Sequence, residues 1–131
     1  MKMTFARIVL PVIGFGFFLS CSKGPGTGGS STIRGKIYDT VTNTLGQHVD
    51  SGYAMKEDVY IVYGTDVFYA NKTSTGDDGT YEFPYLKKGN YTIYAYSKCY
   101  TCPNQKESIR ISVDIAKNHT VVVAPQINIL K

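Results

Sequence analysis

Residues Thr75 to Ile93 read TGDDGTYEFPYLKKGNYTI, and no other part of this chain constrains its fold as tightly. An Asp/Gly turn, a short aromatic strand, a second turn at Lys87-Lys88-Gly89 and another strand follow one another within twenty residues. A chain reverses direction that quickly only between antiparallel strands joined by tight turns. The segment is therefore expected to form one corner of a small antiparallel β-sandwich.

The rest of the chain from Thr32 onward keeps a side-chain period of two. Ile109, Ile111, Val113 and Ile115 alternate with Ser108, Arg110, Ser112 and Asp114, which buries one face of a strand and wets the other. Seven strands are expected, at about 32–39, 58–63, 67–75, 80–85, 90–97, 108–115 and 120–130. No ten-residue window carries a helical stripe. The expected fold is thus an all-β, seven-stranded antiparallel Greek-key sandwich over residues 32–131. Pro125 cannot donate to a ladder, so the last strand should lie at an edge or carry a bulge there. The longest connection, 40–57, is open to two readings, a functional loop or a disordered insertion.

The first twenty residues are set apart. Lys2 and Arg7 precede an apolar run from Ile8 to Leu19, and Ser20 stands before Cys21. That is the layout of a secretory signal peptide. The run, broken by Pro11, Gly14 and Gly16, falls short of the roughly twenty residues a membrane span requires. Phe18-Leu19-Ser20-Cys21 resembles the bacterial lipobox, whose cysteine is lipidated and becomes the mature first residue. Phe18 takes the place of the usual Leu. The resemblance implies a membrane anchor on Cys21, and Ser22, being non-acidic, implies the outer membrane of a Gram-negative envelope. Residues 21–31, the lipidated cysteine and then a Gly/Ser/Pro segment, read as a flexible tether. Loss of Lys2 and Arg7, with no acid, takes the formal charge from +4 to +2. Beyond the Lys87-Lys88 turn pair there is no basic stripe, so nucleic acid is not an expected partner.

Ile33-Arg34-Gly35-Lys36-Ile37-Tyr38-Asp39 and the Thr75–Phe83 segment, with Leu86, Gly89 and Tyr91, resemble the carboxypeptidase regulatory-like domains. That resemblance covers residues 32–97 by motif and the remainder by strand pattern. It implies a prealbumin-like (transthyretin-like) sandwich that is usually non-catalytic. Tyr81, Phe83, Leu86 and Tyr91 would fill its core. Relatives of these domains that do chemistry need residues this chain lacks. An isopeptide between Lys36 and Asn128 would need a buried Glu near Ala95, and that neighbourhood has no carboxyl group. Hydroxyisourate hydrolases end in Tyr-Arg-Gly-Ser, whereas this chain ends Asn128-Ile129-Leu130-Lys131. Intradiol dioxygenases bind iron with two tyrosines and two close histidines, and His48 and His119 are far apart.

Three smaller features remain. Cys99-Tyr100-Thr101-Cys102 lies between strands of an exported chain, where a local disulfide is expected rather than a redox motif or half a zinc site. Asp77-Asp78-Gly79 reads as a turn, lacking the spaced oxygens of a calcium loop. With Val59, Ile61, Ile93 and Ala95 inward, Tyr60, Tyr94 and Tyr96 face out on neighbouring strands. They form either a glycan-binding stripe or cross-strand pairs that stabilise the sheet. No metal, cofactor or catalytic set is expected. The expected role is structural or adaptor-like, toward an envelope protein, with glycan as the alternative partner.

Overall fold

The computed structural model describes residues 24–131, so the signal segment and Cys21 lie outside the described residues. The chain is all-β, in two sheets. The strands are β1 (Thr27–Thr42), β2 (His48–Tyr53), β3 (Asp58–Tyr63), β4 (Asn71–Ser74), β5 (Thr80–Leu86), β6 (Gly89–Lys98), β7 (Lys106–Ile115), β8 (Val121–Val123) and β9 (Ile127–Leu130). A 3-10 turn at Pro103–Gln105 precedes β7. One sheet runs β4-β3-β6-β7, antiparallel throughout.

The other sheet is organised around β1, which is long enough to be flanked by two strands in series on each edge. Ile37 marks the handover on one edge: its N–H donates to the Gly79 carbonyl just before β5, and its carbonyl accepts from the Ala54 N–H just after β2. β5 therefore covers the first part of β1 and β2 the last. On the opposite edge β8 and then β9 run parallel to β1.

Two consequences differ from the sequence expectation. Among the described residues there are nine strands rather than seven, and the sandwich is mixed rather than purely antiparallel. The expected strand 120–130 divides at Ala124-Pro125-Gln126, where the proline interrupts an edge strand. The strand expected at 67–75 is shortened to Asn71–Ser74, and residues before it form a loop.

The core lies between the two inner faces. Ile33, Ile37, Tyr81, Phe83 and Leu86 from the β1 sheet meet Val59, Ile61, Tyr91, Ile93 and Ile115 from the other. Each fully buried aliphatic side chain contributes about 1.5–3 kcal/mol. Gly35 and Tyr81 are opposite one another in the β1–β5 ladder. A Cβ on Gly35 would fall 2.3 Å from the Tyr81 hydroxyl, so the missing side chain is what makes room for that ring. The hydroxyl itself is buried with no hydrogen-bond partner among the described residues. Burial pushes its pKa well above the usual tyrosine value.

Register also gives the sandwich two distinct tips. At the proximal tip the chain emerges at Pro25. The β3–β4 loop, the Lys87-Lys88 turn and the turn after Ile115 gather there, because Gly89 pairs with Ile115 and Tyr63 with Tyr91. At the distal tip lie the β1–β2 turn and the β6–β7 loop, since Thr42 pairs with His48 and Lys98 with Lys106.

The expectation of a loose tether over 21–31 needs correction for its second half. β1 starts at Thr27, and both Thr27 and Ser31 lie opposite Leu86 across a bulge. The Gly26 N–H donates to the Tyr91 hydroxyl at 2.9 Å, that hydroxyl donates to the Lys87 carbonyl at 2.7 Å, and the Lys87 N–H donates back to the Gly26 carbonyl at 2.9 Å. A composition with no side chains to bury still supplies backbone donors and acceptors, and here they are captured by the sandwich.

Candidate functional sites

The outer face of the four-stranded sheet carries the tyrosines that the alternation assigned to it. Tyr60 and Tyr94 are opposite one another in the β3–β6 ladder and stack with centroids 5.0 Å apart and planes 12° apart. Tyr96 meets both edge-on, at 5.5 Å from Tyr60 and 5.7 Å from Tyr94. Tyr69, which the sequence reading did not single out, adds a fourth ring at 5.0 Å from Tyr60. Arg110, opposite Tyr94 on β7, lays its guanidinium 4.7 Å from the Tyr94 ring centroid. The strict alternation of β7 was the signal that placed Arg110 outward.

These contacts decide what the face offers. Tyr94 is only 5% exposed, with one partner from each neighbouring strand. Tyr60 is half-buried, and Tyr96 and Tyr69 retain exposed edges. The rings are interlocked rather than coplanar, so the flat stripe required for a stacking platform does not form. Each such aromatic pair contributes about 0.5–1.5 kcal/mol beyond its buried area, and the cluster holds β3 and β6 in register. Burial raises the Tyr94 hydroxyl pKa, with the Tyr96 neighbour adding to it, and raises that of Tyr60, with the Asp58 charge adding to it. Asp58 is held below the usual carboxylate range by hydrogen bonds from Lys72 and Ser74.

The connection 40–57 is neither a long loop nor an insertion lacking structure. It contains β2, a hairpin partner of β1 whose other edge is unpaired among the described residues. Its turn is closed by the Asn43 carboxamide, which accepts from the Leu45 and Gln47 N–H groups. Leu45 (80% exposed) and Val49 project from this hairpin into solvent, and Met55 does so from the turn that follows it. Periodicity missed β2 because HVDSGY has no buried face to alternate with; its residues are exposed or half-exposed throughout.

The hairpin is braced by the β6–β7 loop. Cys99 and Cys102 are joined in a disulfide, with Cα atoms 5.4 Å apart. Between them Tyr100 reaches over, its hydroxyl 2.6 Å from Thr42 Oγ1. Glu107 brings a carboxylate within 4.8 Å of both sulfurs, but sulfurs bonded to each other offer a metal no thiolate. Nearby, a cleft of about 350 Å³ is lined by Glu57, Tyr96, Lys98, Gln105 and Lys131. Lys131 occupies it with two carboxylates, Glu57 at 2.8 Å and Asp39 at 3.3 Å. Burial lowers the Lys131 pKa, and the two acids outweigh it, so the ammonium is held above its ordinary value.

Other candidates resolve into structure. Asp78 caps its own turn, accepting from the Thr80 N–H and hydroxyl. The Lys36 ammonium sits over the Tyr53 ring and 3.6 Å from Asp78, while Asn128 accepts a hydrogen bond from Gln126. Lys36 and Asn128 thus have other partners. His48 and His119 are exposed at opposite tips.

No protein-family model matches the sequence, and no curated protein matches it. Among solved structures, the chain is similar to a Pseudomonas aeruginosa protein described as a "putative carbohydrate binding protein", with 12% identity and a TM-score of 0.47. The match covers 81% of this chain and 91% of that one, a likeness too coarse to transfer a ligand.

Proposed function

We propose that this chain is a non-enzymatic lipoprotein of the bacterial envelope, anchored through lipid on Cys21, whose carboxypeptidase regulatory-like sandwich works as an adaptor for another envelope protein. The observation that supports the adaptor role is the β1–β2 hairpin. Among the described residues no strand pairs with the outer edge of β2, and Leu45, Val49 and Met55 are exposed along it. An incoming strand gains backbone hydrogen bonds from such an edge, while the apolar side chains select the partner. The disulfide-bearing loop braces the hairpin before it binds, which lowers the ordering cost on association. A photo-reactive residue at Val49, cross-linked in intact cells, should capture one discrete protein. Capture should disappear when Leu45 and Met55 are both replaced by Asp. A hairpin that captures nothing, or that captures equally with the double substitution, overturns the adaptor reading.

A second reading, a carbohydrate-binding surface, is favoured by the exposed edges of Tyr69 and Tyr96 beside Lys72 and Arg110. Glycan-array binding lost on Tyr96→Ala would support it. An array without signal would remove it.

A further inference from the structure

The proximal tip gathers apolar and basic side chains where the chain leaves its first 23 residues, and we infer that this tip lies on the bilayer with Val67 and Phe68 set into its headgroup boundary. The inference rests on the proposed anchor at Cys21. Val67 and Phe68 are adjacent in the β3–β4 loop and each is 82% exposed. Tyr85, at the end of β5, is also largely exposed, in a left-handed backbone conformation (φ 59°) that few non-glycine residues adopt. Three solvent-facing apolar groups at one tip are costly to leave in water and suited to a boundary that is apolar on one side.

Chain reach makes the bilayer the occupant. Pro25 packs against Gly64 and Gly89: a Cβ on Gly89 would fall 2.8 Å from the proline ring, and one on Gly64 3.0 Å from it. From Cys21 to Pro25 the chain can extend no more than ~14 Å. A lipid on Cys21 therefore holds the Pro25 tip within that distance of the headgroups. Phe68 lies four residues beyond Gly64, so the loop it occupies is within similar reach. Lys88 and Lys117 are exposed in the two neighbouring turns beside the half-buried Lys87, against Asp66 in the loop and Asp114 at the end of β7, which accepts from the Asn90 side chain. The three lysines exceed the two acids by one charge, so the tip meets an anionic headgroup surface without net repulsion.

The full chain, processed and lipidated in a Gram-negative host, would be reconstituted in phosphatidylethanolamine/phosphatidylglycerol vesicles. An environment-sensitive fluorophore is placed at Phe68→Cys or, at the distal tip, at Leu45→Cys. Brominated lipid should quench the label at position 68 several-fold more than at 45. Equally weak quenching at both sites, with labelled palmitate still on Cys21, overturns the docking and leaves the anchor standing. Absence of palmitate from the wild-type protein overturns the anchor and the docking together. Shielding at 68 that follows the protein-to-lipid ratio but not the brominated lipid means a second copy covers the loop, and also overturns the docking.

Discussion

The two tips of this sandwich are held by different means. The proximal tip is held noncovalently: the Tyr91 hydroxyl links Gly26 to Lys87, Ser31 donates to the Lys117 carbonyl, and the Thr32 N–H donates to Thr120. The distal tip is held by a disulfide and by Tyr100 spanning from that loop to Thr42. The proximal contacts end in the hydrophobic core, because the Tyr91 ring belongs to it. The distal ones lie at the surface and end in an exposed hairpin. Loosening the first should therefore unfold the domain, whereas loosening the second should free only its tip.

Tyr91→Ala is the strongest way to break that contrast. It deletes a buried aromatic and the backbone bridge together, and should cost about 3–5 kcal/mol in denaturant titration. Replacing Cys99 and Cys102 by Ser comes next. The short loop they close is worth only about 2 kcal/mol by chain entropy. Hydrogen exchange should rise in residues 99–105 and the β1–β2 turn while β6 stays protected. Loss of protection across both sheets would contradict the local role.

Smaller changes sharpen the comparison. Tyr91→Phe keeps the ring but removes the hydroxyl, and should cost about 1 kcal/mol with faster exchange at Gly26 and Lys87. Tyr81→Phe should have the opposite sign, stabilising by about 1 kcal/mol, since it removes a buried hydroxyl that has no partner. The smallest effect concerns pH. The Lys131 pKa is raised in the folded state, so its ion pairs add stability below the ordinary lysine value and lose it as pH rises through the folded value. Lys131→Met should flatten that alkaline decline in the melting temperature. Tyr81, pushed upward by burial, destabilises over the same alkaline range, and Tyr81→Phe should remove its share.

Side-chain alternation made much of this legible in advance. It located β3, β5, β6 and β7, assigned Tyr60, Tyr94 and Tyr96 to one outer face, and placed the cysteines in a connecting loop. It was silent wherever pairing is made by backbone alone. Thr27 to Ser31 and His48 to Tyr53 have few inward side chains to reveal them, yet both form ladders. Pro125 pointed to an edge position or a bulge in the last strand, but neither its division into β8 and β9 nor its parallel pairing with β1 was legible, because register across a sheet is a tertiary outcome. Alternation placed the tyrosines on one outer face but does not encode how their rings are turned against one another.

In the proposed arrangement the domain stands on its proximal tip and presents the hairpin away from the membrane. Neutron reflectometry on the lipidated protein in a supported bilayer reads this as layer thickness. β1 spans Thr27–Thr42, and at a strand rise of ~3.2 Å per residue an upright molecule gives a layer on the order of 50 Å. A layer only about 25 Å thick, the dimension of two packed sheets with their side chains, would mean that the sandwich lies flat, and would contradict it.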